Sequence, residues 1–175
     1  MKIAVLGSGS WATALAKIVM NNVDEINWYI RKQETIDEFI ESRRNPNHLE
    51  WAYFDTNRIY FSTDINEVLD LSNTIIVAIP SPYVKSCLDE INIDISHKKI
   101  ISAVKGMIPD EHVLVTDYIH EHFGVPHENI GVIAGPCHAE EIALERLSYL
   151  TIGGISEDNT QAWSELLTTK FVHVT

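Results

Sequence analysis

Gly7-Ser8-Gly9-Ser10-Trp11-Ala12 sets two glycines and a third small residue at the spacing G-x-G-x-x-A. That spacing suits a chain that leaves a strand, turns sharply and enters a helix. Gly7 would make the tight turn, and Gly9 would let the backbone approach a pyrophosphate with no Cβ in the way. Ala12 is small enough for close helix packing. The pyrophosphate would rest on the free N–H groups and positive dipole end of a helix opening at Trp11. The motif follows the apolar run Lys2–Leu6 and precedes Thr13-Ala14-Leu15-Ala16, so it reads as a dinucleotide site rather than a bare structural turn.

The end of the next apolar run bears on which dinucleotide. NAD-binding units carry an acid about 20 residues past the glycines to hold the ribose 2′-hydroxyl. Here the run Ile26–Ile30 ends in Arg31-Lys32. Two positive charges there would pair with a 2′-phosphate and favour NADP, with NAD still possible; the plainer alternative is that they solvate a strand end. Three further junctions could hold anions or carbonyl oxygens. Lys105 leaves the run Ile101–Val104 and enters Gly106, where an ammonium could hold a substrate phosphate or carbonyl. Gly135-Pro136-Cys137-His138-Ala139 follows Gly131–Ala134 and resembles a second helix-start anion site. Pro80-Ser81-Pro82, after Thr74–Ile79, would bring backbone near the nicotinamide half of a cofactor.

The elements that must position these residues follow from periodicity. Short Val- and Ile-rich runs at residues 2–6, 26–30, 58–61, 74–79, 99–104, 130–134, 149–152 and 171–174 read as strands, most of them buried on both faces. Helical patterns occupy residues 11–22, 33–44, 64–71, 82–91, 110–123, 136–147 and 156–169. The alternation predicts an α/β fold with a doubly wound, mostly parallel sheet of the Rossmann type, running as one dinucleotide-binding domain over residues 1–175. Local signals agree: Asp64 with Glu67 resembles a capping box, Pro82 and Pro136 suit first helical turns, and Gly124 suits a helix stop. Asn45–Leu49 is turn-like, and the aromatics from Trp51 to Phe61 read as core and cover, with Tyr53 or Phe54 at the mouth of an adenosine site.

Composition bounds the remaining classes. The chain has 175 residues, 13 Lys+Arg against 25 Asp+Glu, a formal net charge of −12, and 45% hydrophobic residues. That length buries a proper core. No run approaches the roughly 18 apolar residues of a membrane span, and the start is too short in apolar residues for a secretory leader. A cytoplasmic location is expected. The acidic balance argues against a nucleic-acid partner. Cys87 and Cys137 form no CxxC, which argues against a disulfide scaffold or zinc site. His120, His122 and His127 suggest metal at first glance, but residues two apart face different ways and Gly124-Val125-Pro126 interrupts the helix, so no metal is expected. Glu140-Glu141 and Glu157-Asp158 read as acids complementing helix starts.

Taken together, residues 7–16, Asn45-Pro46-Asn47-His48-Leu49, Ser62-Thr63-Asp64, Ala78-Ile79-Pro80-Ser81, Val104-Lys105-Gly106 and residues 134–141 resemble, in order, the bacterial-type NAD(P)-dependent glycerol-3-phosphate dehydrogenases. The resemblance implies reversible hydride transfer between NAD(P)H and dihydroxyacetone phosphate, giving sn-glycerol 3-phosphate for glycerophospholipid synthesis. It implies cofactor contacts at Gly7, Gly9, Ser10, Trp11, Arg31, Lys32, Lys105 and Ala139, and substrate contacts at Lys105, Gly135 and Cys137. It also implies a homo-oligomeric full-length enzyme. Three positions depart from the family: Ala12 for Gly, His138 for an aromatic, and Cys137 for a hydroxyl residue. Cys137 is read as a backbone N–H contact, since hydride transfer has no role for a nucleophile, and His138 as filling the aromatic's volume. The family's acid/base lysine belongs to a helical domain expected beyond Thr175, so the chain reads as the cofactor-binding portion of a longer enzyme, with no catalytic acid of its own and little turnover alone. Two alternatives stay open: another Rossmann dehydrogenase such as a ketopantoate reductase, and a stand-alone NADP-binding redox sensor.

Overall fold

The computed structural model describes residues 1–109 and 111–175. In chain order its elements are β1 (Ile3–Leu6), α1 (Ser10–Val19), β2 (Ile26–Tyr29), α2 (Gln33–Ser42), β3 (Ile59–Ser62), α3 (Ile65–Asp70), β4 (Thr74–Val77) and α4 (Ser81–Leu88). They continue with β5 (Lys99–Ser102), β6 (Met107–Ile108), β7 (Val113–Leu114), α5 (Val115–Phe123), β8 (Ile130–Ala134), α6 (Ala139–Ala143), β9 (Ser148–Gly154), α7 (Glu157–Leu167) and β10 (Val172–Val174).

Eight strands form one sheet in the order β10-β9-β8-β5-β4-β1-β2-β3. From β3 to β8 every pairing is parallel; β9 pairs antiparallel to β8, and β10 pairs parallel to β9, so these last two strands run against the rest. The expected doubly wound, mostly parallel sheet is therefore present. Its strand order reverses at β1 and β4, the switch point where such sheets leave a crevice. Register aligns the strand ends there: Leu6 lies opposite both Tyr29 and Val77, and Val77 opposite Ser102. The glycine turn, Arg31, Ile79-Pro80, Lys105 and Gly135 consequently leave the same edge of the sheet.

The strand sequences explain the two-sided burial. Ile3 and Val5 of β1 join a core under α1, α2, α6 and α7, whereas Ala4 and Leu6 join a second core under α3, α4 and α5. Each fully buried Ile or Leu adds roughly 1.5–3 kcal/mol of apolar transfer. In the first core Trp28 meets Phe39 and Phe54 edge-on at 5.3 and 5.6 Å and stacks on Phe61 at 5.8 Å.

Three local expectations are corrected. The helix expected over residues 110–123 begins at Val115; its first residues lie outside the description (Asp110) or in a hairpin, with Val113 and Leu114 paired to Ile108 and Met107. His112 turns that hairpin at φ 55°. The helix expected over residues 136–147 is only Ala139–Ala143. Gly135 at φ 134° and the extended His138 at φ −102° and ψ 139°, which is the N-cap, set its late start, and Glu145 at φ 56° closes it. Pro136 therefore lies outside the helix, and a helix of five residues presents little of the anion site expected there. Finally, Asp64 does accept from the Asn66 amide at 2.9 Å, but the return bond comes from Ser62, whose Oγ accepts from the Asp64 N–H at 3.0 Å. Glu67 instead accepts from the Ser62 and Tyr60 hydroxyls, each at 2.6 Å. Those bonds, Ser62 foremost, hold its carboxyl below the usual range. Pro82 sits in the first turn of α4 and Gly124 ends α5 at φ 65°, as expected.

Candidate functional site

The glycine turn is held by its carbonyls. Gly7 O accepts from the Trp28 indole at 2.7 Å, Ser8 O from the Asn45 amide at 2.9 Å, and Gly9 O from the Thr13 N–H at 3.0 Å and hydroxyl at 2.9 Å. Asn45 is fully buried; its other amide bond goes to Thr13 Oγ1 at 2.8 Å, and its Oδ1 accepts from the Asn47 N–H at 3.0 Å. With the turn's oxygens engaged by protein, the first-turn amides of α1 remain, and its N-cap, Gly9, has no side chain to satisfy them. Such a terminus suits a phosphate.

The two glycines serve different ends. Gly7 has φ 116°, and a Cβ there would lie 2.5 Å from Ala78 O, so the turn packs directly on the end of β4. Gly9 has φ −75° and a Cβ there would meet nothing within 4 Å. Its open side is the space that a ligand's pyrophosphate needs. The residues present therefore fit a dinucleotide.

Beside the turn lies a cavity of about 260 Å³ lined by Gly7, Ser8, Gly9, Tyr29, Arg31, His48, Ile79, Pro80, Tyr83, Ser86, Cys87 and Glu90. Burial pushes the Tyr29 phenol far above its usual range, and pushes the Cys87 thiol up to about 11. Ser10 Oγ and His48 Nδ1 are 3.1 Å apart, linking the helix start to the Asn45–Leu49 loop.

The expected site residues divide by position. Arg31 lines this cavity, whereas Lys32 is the exposed N-cap of α2 and is not among the cavity's described lining residues. Lys105 sits across the turn, its ammonium 5.1 Å from the centre of the Trp11 ring. Of the three basic groups, Arg31 alone is among this cavity's described lining residues. Ser81 lies near Gly106, where a Cβ would be 3.8 Å from Ser81 Oγ, while Pro80 enters the Arg31 cavity. The Pro80-Ser81 junction accordingly lies between the cavity and the Lys105-Gly106 segment. Gly135 packs against β9, where a Cβ would come 2.8 Å from Tyr149 O. Cys137 is buried and its Sγ–H donates to that same oxygen at 2.5 Å. His138 is the exposed N-cap of α6, and Ala139 is buried at the helix's first residue.

Other residues of the cavity were not singled out from the sequence. Tyr83, Ser86, Cys87 and Glu90 recur at three- and four-residue intervals, the signature of one helical face, which α4 turns toward Arg31. Phe54 is core, and Tyr53 is exposed with Arg44 5.7 Å above its ring; neither is among the cavity's described lining residues. His127 folds back to stack on His120 at 3.8 Å despite the helix break, with His120 Nδ1 2.8 Å from Val125 O. Among the described residues no group of three or more His, Cys, Asp or Glu gathers as a metal site, and no helix is long and apolar enough to cross a membrane.

Strand order, switch-point turn and uncapped helix define a Rossmann-type α/β unit. The chain belongs to the family described as NAD-dependent glycerol-3-phosphate dehydrogenase N-terminus, whose model matches residues 2–162. A glycerol-3-phosphate dehydrogenase (NAD(P)+) of Exiguobacterium sp. is 32% identical over 168 residues, covering 95% of this chain and 49% of that protein. The Streptococcus uberis protein of the same name is 32% identical over 154 residues, covering 86% and 45%. The chain thus spans about half the length of these relatives. A solved Plasmodium falciparum glycerol-3-phosphate dehydrogenase superposes with a TM-score of 0.87 at 28% identity, covering all of this chain and 52% of that one. The family match does not favour the ketopantoate reductase or sensor alternatives.

Proposed function

We propose that this chain binds NAD(P)H and serves glycerol-3-phosphate dehydrogenase chemistry, the interconversion of dihydroxyacetone phosphate and sn-glycerol 3-phosphate that feeds glycerophospholipid synthesis. The observation that carries the reading is the glycine turn, with its carbonyls engaged by Trp28, Asn45 and Thr13 and the amide end of α1 left to a ligand. Gly7, Gly9, Ser10 and Trp11 would hold the pyrophosphate portion. Arg31 is assigned to the adenosine end, where its guanidinium favours NADPH over NADH, with Lys32 adding positive charge outside the cavity.

When bound, the reduced nicotinamide supplies the hydride. Lys105 is assigned to the substrate, its ammonium donating to the phosphate or carbonyl oxygen while the Trp11 ring 5.1 Å away attracts and positions that charge. Gly135 and Cys137 would contact substrate through backbone, since the Cys137 thiol is committed to Tyr149 O. Ala139 would approach the cofactor at the start of α6. These residues bind and orient; the acid that protonates the alkoxide is assigned elsewhere in the full enzyme, so the 175 residues alone should bind nucleotide with little turnover.

Fluorescence titration with NADPH and NADH tests the binding, and nicotinamide absorbance with dihydroxyacetone phosphate tests the turnover. Failure to bind either nucleotide defeats the reading. Turnover at rates typical of complete dehydrogenases defeats the assignment of the acid elsewhere.

A further inference from the structure

Glu90 brings a carboxylate to the cavity that also holds Arg31, and it is the one acid among that cavity's described lining residues. The two opposite charges do not pair: among the described residues the ion pairs run from Lys85 to Asp89 at 2.8 Å and to Glu111 at 3.8 Å. Glu90 is nevertheless held in place. Its N–H donates to Cys87 O at 3.3 Å, and its carbonyl accepts from the Asn66 side chain at 3.1 Å, tying the turn after α4 to α3. Both charges reach the cavity's polar groups, since the Glu90 carboxylate makes Tyr29 and Cys87 weaker acids and the Arg31 guanidinium acts in the opposite sense.

The placement answers a gap in the sequence. NAD-binding units set a carboxylate at the end of the second strand to accept from the ribose 2′-hydroxyl. Here that strand end carries Arg31 and Lys32, and the acid lines the same cavity from the turn two residues past the end of α4. We propose that Glu90, in the turn just past α4, supplies the carboxylate that the end of β2 lacks, accepting from the ribose 2′-hydroxyl of NAD(H) and repelling the 2′-phosphate that Arg31 attracts. The pair makes a site that takes either cofactor, with Arg31 and Glu90 setting the ratio. The inference rests on the nucleotide-binding reading above.

The test measures dissociation constants of NADPH, NADH, 2′,5′-ADP and 5′-AMP for the unaltered chain, Glu90→Gln and Glu90→Ala, with circular dichroism and thermal midpoints alongside. The position is exposed and Gln is nearly isosteric, so folding should be unaffected. Both variants should weaken NADH, tighten NADPH, and so widen the NADPH preference about tenfold, the scale of one charge-assisted hydrogen bond. The 2′,5′-ADP and 5′-AMP pair should move in parallel, which locates the effect at the 2′ position. An unchanged ratio, or equal weakening of both nucleotides as expected of a contact to adenine, overturns the assignment while leaving nucleotide binding intact. An unaltered chain that binds none of the four defeats the nucleotide reading itself, and Glu90's role with it.

Discussion

The side-chain amide of Asn45 donates to the carbonyl oxygen of Ser8 at 2.9 Å, across 37 positions of sequence. That bond, with its partner to Thr13 Oγ1 at 2.8 Å, fixes the middle of the glycine turn from a loop that carries no ligand-binding residue in the expected set. Asn45→Ala leaves two buried acceptors short of a donor, at a cost of about 1–3 kcal/mol. It should lower the denaturant midpoint and weaken NADPH by more than tenfold, because the turn would sample other geometries. Asn45→Asp keeps the size but loses both donors, so it should resemble Ala. An Asn45→Ala protein that binds NADPH normally would show that the turn needs no such support.

Gly7 and Gly9 look alike in the motif and should fail differently. Gly7→Ala places a methyl 2.5 Å from Ala78 O at φ 116°, and should destabilise the fold by more than about 2 kcal/mol. Gly9→Ala meets no protein atom within 4 Å and has an ordinary φ of −75°, so its thermal midpoint should hold or rise slightly. Its nucleotide affinity should nonetheless fall, by tenfold or more, since the new methyl occupies the ligand's space. Paired melting curves and NADPH titrations check this. A Gly9→Ala chain with full affinity would remove the pyrophosphate from that spot.

Much of this site could be read from residue types because its parts are local. The glycine turn, Arg31, Lys105 and Gly135 each follow an apolar run, and a parallel sheet brings all such run ends to one edge. What could not be read depends on contacts between distant segments. Nothing in the run Ile26–Ile30 marks Trp28 as a support of the turn, yet its indole is bonded to Gly7 O. Glu90 lay outside every motif, and only the cavity shared by the end of β2, the end of β4 and the stretch from α4 to the turn after it brings it to Arg31. The long helix expected around Glu140 failed for a different reason: its apolar spacing was sound, but Gly135 and Glu145 take up positive φ at its ends.

Trp11 and Lys105 give a graded test. Lys105→Gln removes the ammonium and should weaken dihydroxyacetone phosphate by at least tenfold, measured calorimetrically with NADPH present. Trp11→Leu leaves the ammonium but removes the ring 5.1 Å from it, an interaction of about 0.5–1 kcal/mol, so the loss should be roughly twofold to fivefold. Trp11→Phe keeps a ring and should recover part of it. Equal losses for Leu and Phe would mean that the indole acts through size and not through its π face.

Cys87 offers a chemical reporter on the Arg31 cavity. Burial chiefly raises its pKa from 9.0 to about 11, opposed by a hydrogen bond with Tyr29. The thiolate is the reactive form. Alkylation of Cys87 should therefore be slow at neutral pH and accelerate toward pH 11, while an unfolded control accelerates near pH 9. The stability consequence follows the same window. Between those values the unfolded chain has lost the proton and the native chain has kept it, so this group's contribution is full below about pH 9 and is lost as pH rises through about 11. Cys87→Ser, with an alcohol that does not titrate there, should flatten that part of the alkaline unfolding curve. Because Cys87 and Arg31 line one cavity, saturating NADPH should also protect the thiol from alkylation. Labelling that proceeds equally fast with and without bound NADPH would place the adenosine end outside this cavity.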